Sequence, residues 1–417
     1  MKNVAGSSRI SFWCVSALNF ALVCATSSGM AHAQTYTVIH SFLGAPSDGG
    51  YGNGEMITDS AGNLYGSTFE GGVGGGGTVF KLDPNGTVTL LTSFSQSKSA
   101  NPDGGLLRDL QGNLYGATAS GVGSGTIYKL DTSGNIKTLH VYGLGKDGAG
   151  PQSRLVTKNG DLYGITVGGG TFSNCTGGCG TIFKMTKGGT ETILYNFTGG
   201  ADGGHPQGLV EDASGNLYGV ASTGGAQVKC LSQNGCGTVW KLDTAEAFSV
   251  LYTFTGGADG GYPVGRLVRD AFGNIHGVTY LGGDPTCNCG VVFRLDSSGQ
   301  ETIIHEFFGG GGGSYPFIGL LDVGGTLYGT TLGGGISTCP PHPDGCGVLY
   351  KIGTTGQYTV LHRFGGVTAG DGDNSHIGAL TLGVDGSIYG ATWYGGSGTT
   401  CSSGTTFGCG VIFRYTP

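Results

Sequence analysis

The sequence predicts an all-β fold, a seven-bladed β-propeller of four-stranded antiparallel blades, and three observations predict it. The first is a two-part phrase written seven times. Its fullest form is Gly215-Asn216-Leu217-Tyr218-Gly219, then a loop, then Gly237-Thr238-Val239-Trp240-Lys241-Leu242-Asp243. The aromatic of the first part recurs as Tyr65, Tyr115, Tyr163, Tyr218, His276, Tyr328 and Tyr389, and that of the second as Phe80, Tyr128, Phe183, Trp240, Phe293, Tyr350 and Phe413. A period of roughly 48 to 61 residues is the mark of a repeat architecture. The second observation is that each repeat divides into four short apolar runs separated by turn signals, with no helical periodicity after the N-terminus. The third lies at the two ends. The chain enters on Tyr36-Thr37-Val38-Ile39-His40-Ser41-Phe42, which matches a fourth run, and leaves on Gly410-Val411-Ile412-Phe413-Arg414, which matches a third. The N-terminal strand is therefore expected to complete the last blade and close the ring.

The elements follow in order. Lys2 and Arg9 precede an apolar stretch over residues 10–25, and Ala31-His32-Ala33 offers a small-x-small cleavage site before Gln34. Residues 1–33 read as a signal peptide. Cys24 as a lipid anchor is the weaker reading, because Val23 is large where a small residue is usual. Residues 34–417 then form one propeller domain, expected to be monomeric and secreted or periplasmic. No later stretch approaches the ~20 apolar residues of a membrane span. Without Lys2 and Arg9, 18 basic residues face 27 acidic ones, a net charge of −9 that disfavours nucleic acid and anionic lipid. Glycine supplies 90 of 417 residues with no Gly-X-Y period, so it serves turns and close approaches, not a collagen-like helix.

In repeat four, run A is Gly208-Leu209-Val210-Glu211-Asp212, run B covers residues 216–222, run C 237–243 and run D 248–254. Tight turns such as Asp212-Ala213-Ser214-Gly215 join A to B, and Asp83-Pro84-Asn85-Gly86 joins C to D. The B–C and D–A links are longer and vary most. In a propeller they share one face, and that decorated face is the expected ligand side.

Ten cysteines follow residue 170, as Cys175/Cys179, Cys230/Cys236, Cys287/Cys289, Cys339/Cys346 and Cys401/Cys409, each pair in a B–C loop. An even count in an exported chain reads as disulfides closing their own loops. Cys287-Asn288-Cys289 is the exception, since a ring that small is geometrically tight, and the sequence leaves open whether these two pair with each other. Zinc is the alternative and would need reduced thiolates with a second pair or a histidine nearby. The expectation is no metal there.

The D–A loops carry Asp-Gly followed by an aromatic, His or Pro: Asp48-Gly49-Gly50-Tyr51, Asp202-Gly203-Gly204-His205-Pro206, Asp259-Gly260-Gly261-Tyr262-Pro263, Gly313-Ser314-Tyr315-Pro316 and Asp371-Gly372-Asp373-Asn374-Ser375-His376. A binding reading puts Tyr51, His205, Tyr262, Tyr315 and His376 at the channel mouth as platforms for sugar rings, with Asp202 and Asp259 accepting hydroxyl hydrogens. A scaffold reading makes the same motif the turn every blade needs. Calcium on these Asp oxygens is the one cofactor left open, although no loop has a full set of closely spaced oxygen ligands. His40, His140, His305 and His362 share a run-D position with Thr92, Tyr195 and Tyr252, and read as scaffold. His276 reads as a packed variant of the run-B tyrosine. The run-C cation, as in Lys241 or Arg294, reads as a stem lying between blades. Nucleophile, P-loop, dinucleotide and HExxH motifs are all missing. Glu55 is the one acidic residue placed at the start of a run A.

The alternation of Gly-Asn-Leu-Tyr-Gly with Gly-Thr-Val-Phe-Lys-Leu-Asp over residues 36–415 resembles the GloVer tandem-repeat family of bacterial exported proteins and, more loosely, propellers of the NHL type. The resemblance implies an extracellular or periplasmic propeller and carries no activity. Its members often end in a surface-sorting segment, which is not expected after Pro417. Two functions are thus expected: a secreted module binding a glycan or other extracellular ligand on the long-loop face, or a polysaccharide lyase or glycoside hydrolase acting at the same mouth.

Overall fold

The computed structural model describes residues 34–96, 99–121, 123–143, 145–226, 229–230, 233–337, 339, 342–373, 379–401 and 407–417. Among them the chain is all-β, with helix confined to short turns such as Gly310–Gly312 and Val367–Ala369. No helix among the described residues is long and apolar enough to cross a membrane.

Four-stranded antiparallel sheets are the unit. Repeat four places Gly204–Glu211, Leu217–Thr223, Thr238–Leu242 and Phe248–Thr253 side by side in chain order, and repeat five does the same from Gly261–Arg269 to Glu301–Glu306. In repeats three and six run A is broken in two, Ala149–Pro151 with Val156–Lys158 and Ser314–Pro316 with Leu321–Val323. Repeats one and two do not form separate sheets: a single Ser95↔Ser99 pairing joins them into one of nine strands. The N-terminal strand Thr35–Ser41 pairs antiparallel with Val411–Thr416, from Thr35↔Thr416 to Ser41↔Val411. Among the described residues every sheet is open, with two edges.

The repeated phrase has a physical cause at each letter. Asp212 accepts hydrogen bonds from the Ser214 and Asn216 amides at 2.9 Å, the Asn216 side chain at 2.9 Å and the Tyr218 hydroxyl at 3.0 Å. One carboxylate thus fixes the A–B turn and satisfies the asparagine and tyrosine that follow it. Asp59 and Asp109 repeat the pattern. His276 keeps the bond to Asp270 at 3.2 Å, as a packed variant should. The closing glycine makes room. Gly66 lies opposite Phe80 in the ladder, and a methyl group on Gly66 would sit 2.6 Å from that ring.

Apolar side chains collect between consecutive repeats. Ile165 and Phe197 of repeat three pack with Leu217, Trp240 and Leu242 of repeat four, and Phe254 of repeat four with Leu267 and Phe293 of repeat five. Trp240 is fully buried, and its truncation to Ala would cost about 3–5 kcal/mol. The first and seventh repeats also touch. Phe42, Met56 and Phe80 share a cluster with Cys409 and Ile412, and the Thr381 hydroxyl donates to the Met56 carbonyl at 2.7 Å.

Candidate functional site

In five repeats the same D–A loop position holds a left-handed backbone: Tyr51 at φ 58°, Asn101 at 58°, His205 at 54°, Tyr262 at 57° and Tyr315 at 58°. Large side chains seldom adopt this region. Gly150 fills the same position at φ 62° without strain. The conformation aims each amide at the preceding repeat. Tyr51, His205, Tyr262 and Tyr315 donate to the carbonyls of Cys409, Cys179, Cys236 and Cys289, at 2.8 to 2.9 Å. Those cysteines belong to the expected disulfides. Cys175–Cys179, Cys230–Cys236, Cys287–Cys289, Cys339–Cys346 and Cys401–Cys409 are each bonded within their own loop.

Tyr262 and Tyr315 come together. Both rings lie on Tyr280, at centroid distances of 6.1 and 5.2 Å, and Phe317 adds an edge contact to it at 5.7 Å. Tyr315 also borders a groove of about 420 Å³ beside Asp344 and the Cys287–Cys289 disulfide. Tyr51 is buried, stacked on Trp393 at 5.2 Å. His205 is held by the Thr223 hydroxyl at 3.0 Å and the Thr176 carbonyl at 3.3 Å. His376 lies outside the described residues.

Asp202 accepts from the Tyr195 hydroxyl at 2.9 Å, the Thr198 amide at 2.8 Å and the Thr198 hydroxyl. Asp259 is engaged in the same way by Tyr252 and Thr255. His40 with Asp48 and His362 with Asp371 repeat the clamp, so the shared run-D position ties its strand to the following turn. His305 has no aspartate at the matching place and stacks on Tyr358 at 3.9 Å; burial pushes it down to about 4. Among the described residues two clusters have metal-ligand chemistry. Cys339 and Cys346 beside Asp373 are bonded to each other, and so offer no thiolate. His140, Asp147 and Glu191 form a hydrogen-bonded group in which Tyr142 donates to Glu191 at 2.7 Å.

A different constellation lies where run A begins. The residue before the first leucine or methionine of that run is Glu55, Gly105, Arg154, Gly208, Arg266, Gly319 and Ala379 in the seven repeats, and all seven line one cavity of about 260 Å³. Glu55 Oε1 accepts from Arg154 Nη1 at 3.3 Å and Arg266 Nη1 at 2.9 Å. Glycine at 105 leaves space for this, since a Cβ there would stand 2.8 Å from Glu55 Cδ. Around the ion pairs are polar groups without partners. Asn53 is 1% exposed and neither its amide oxygen nor its nitrogen is bonded; Ser153 Oγ and Arg266 Nε are also unpaired. Burial pushes the Asp103 carboxyl up to about 7, against the Gly104 amide and Gln152 side chain that stabilise its anion. Sequence reasoning finds Glu55 and misses its two arginines. The signal is there, because the three charges share one repeat position with glycine and alanine.

Sheets of this kind, packed in series about a cavity shared by every repeat, define a protein of β-propeller class. Solved structures agree on the fold. A streptogramin B lyase structure is similar with a TM-score of 0.56 at 13% identity, over 91% of this chain and 97% of that one. The extracellular domain of a hybrid two component system of B. thetaiotaomicron is similar at 0.53 and 12%, over 92% of this chain and 41% of that one. That of a one component system of the same organism is similar at 0.53 and 14%, over 92% and 42%. This chain therefore spans less than half of those two proteins. A family model of the Gloeobacter/Verrucomicrobia repeat matches residues 26–226 and 171–401, and the chain belongs to that family. No match was found among curated proteins.

Proposed function

We propose that the protein is a secreted saccharide-binding propeller of seven blades, closed by the N-terminal strand, whose ligand enters the cavity shared by the repeats. The observation that carries this is Asn53. A buried amide with both polar atoms unpaired costs about 1–3 kcal/mol or more unless something bonds to it. It sits in a cavity where Ser153 and Arg266 also have unfilled bonding capacity. Sugar hydroxyls both donate and accept, so they suit this mixture. Tyr262 and Tyr315, whose rings meet on Tyr280, stand three and two residues before the cavity-lining Gly265 and Phe317 and offer an aromatic surface, which His205 extends in this reading. Asp202 and Asp259 hold the loops that carry these rings. Pairing of Thr35–Ser41 with Val411–Thr416 supports closure. Disulfides and the extracellular domains among similar structures support export, with cleavage near Ala33.

Glycan-array screening of the mature chain tests binding. Asn53→Ala should abolish the signal with unchanged melting, and His205→Ala with Tyr262→Ala should weaken it. Retained binding in Asn53→Ala would remove the cavity from the account.

A second reading, catalysis, has one observation in its favour. A carboxyl held near neutrality inside a cavity, as Asp103 is, can give and take a proton at working pH. Release of reducing ends or unsaturated products from a polysaccharide, lost in Asp103→Asn, would establish it; binding without product would exclude it.

A further inference from the structure

We infer that the saccharide taken by this cavity is a sugar acid, its carboxylate held by the guanidinium groups of Arg154 and Arg266. The inference rests on the reading that the cavity binds a saccharide and adds the charge of the ligand. Four charged residues line the cavity: Glu55, Asp103, Arg154 and Arg266. Among the described residues Glu55 is the ion-pair partner of both arginines, and both contacts fall on the same oxygen, Oε1. Two cations on one anion leave a single excess positive charge. Each guanidinium carries five N–H donors in a planar fork that matches a carboxylate. One contact to Glu55 leaves most of those donors for another acceptor, and Arg266 Nε is buried without one.

The remaining groups set the class of anion. Asn53 and Ser153 can meet hydroxyls, so a bare carboxylate would leave them unpaired. A cavity of about 260 Å³ falls just under the ~300 Å³ at which small-molecule pockets usually begin, so one or two sugar rings fill it. A single excess charge matches the one negative charge of a uronate; a phosphate dianion exceeds it. Asp103 gives the preference a pH sign. Below about 7 it is neutral and the four groups sum to +1; above, it ionises and the sum falls to zero. Affinity for the acid should therefore decline as pH rises through 7.

Titration calorimetry on the mature chain tests this with glucuronate and galacturonate, the neutral sugars glucose and galactose, and glucose 6-sulfate. The acids are expected to bind at least ~10-fold tighter than the neutral sugars at pH 6, with the gap narrowing at pH 8. Arg266→Gln should erase that gap, and Arg266→Lys should restore part of it, as a point charge lacks the fork. Melting curves establish that each variant is folded; the comparison of ligands on the unaltered chain needs no variant. Equal binding of acids and neutral sugars overturns the inference and leaves the saccharide reading standing. Binding of the sulfate ester in place of the uronates overturns the assignment to a carboxylate. Binding of none of the five overturns both.

Discussion

Two places in the repeat use polar side chains in opposite ways. At the A–B turn, Asp212 is bonded to backbone amides, Asn216 and Tyr218, and Arg269 of the next repeat adds an ion pair at 3.0 Å. Two residues before the run-A position of Glu55, Asn53 is more deeply buried and bonded to nothing. The same carboxylate-centred turn recurs at Asp59, Asp109, Asp212 and Asp270, whereas the run-A position changes from Glu to Gly to Arg to Ala. A chain of repeats shows its scaffold in what the copies share, because each copy must solve the same packing problem. Its chemistry lies where the copies differ, at positions that can accept polar atoms left open for a partner.

The largest test asks whether the shared part builds one closed body. Deleting residues 34–43 removes the strand that pairs with Val411–Thr416 and leaves that strand as an unpaired edge. The expected outcome is a fall in melting temperature of more than ~10 °C or loss of a cooperative transition, read by circular dichroism. Unchanged melting would mean that this pairing adds nothing, and the closed propeller would have to be abandoned.

The second test separates the two regions by pH. The Asp212 carboxyl is opposed by burial, yet bonds from Asn216, Tyr218 and Ser214 outweigh it and hold it down at about 2. Stability from Asp212 is thus present above its unfolded value near 4 and lost as pH falls toward 2. Asp103 has the other sign: pushed up to about 7, it favours the folded state while protonated, and that advantage drains away between about 4 and 7. Asp103→Asn should gain stability relative to the unaltered chain as pH rises across that window, by up to ~4 kcal/mol. Parallel denaturation curves at pH 5 and pH 8 decide it; an identical pH dependence would mean Asp103 is not buried as a lone acid.

Much of the scaffold is legible in the sequence. The Asp…Gly-Asn-Leu-Tyr-Gly phrase encodes a carboxylate-centred turn plus a gap for an aromatic ring, and local chemistry of that kind survives in the order of residues. The cysteine pairs are legible for the same reason. The merger of the first two sheets at Ser95 and Ser99 is not, since a backbone pairing between adjacent copies leaves no side-chain signature. The aromatic loop residues are legible by their repeat position, but their backbone strain and the meeting of Tyr262 and Tyr315 on Tyr280 depend on how neighbouring repeats sit. The cavity is hardest. Glu55 meets arginines 99 and 211 residues away, and only an alignment of the copies against one another puts the three side by side.

A turn-side substitution gives the third test. Asp212→Ala leaves Asn216, Tyr218 and two amides to find water, and removes the partner of Arg269. A loss of about 1–3 kcal/mol in urea denaturation is expected, with saccharide binding unchanged in the folded protein. Lost binding at full stability would place function at the turns and invert the comparison.

The smallest expected effect on stability is the most informative. Asn53 is buried, and its amide has no hydrogen-bond partner to lose. Replacing it with Ala removes the polar atoms and their desolvation penalty together, and the remaining cost is the packing of a few side-chain atoms beside a cavity that already exists. Such a substitution should be within about 1 kcal/mol of neutral. Ligand binding should suffer instead, because this amide is the most deeply buried polar side chain lining the cavity and needs something the chain does not itself supply. Urea denaturation and calorimetry on the same preparation measure both quantities. A loss of more than about 2 kcal/mol without ligand would show that Asn53 is bonded in the free protein, by ordered water or by a shifted neighbour. The run-A position would then be scaffold like the turn, and the difference between the two regions would be one of geometry alone.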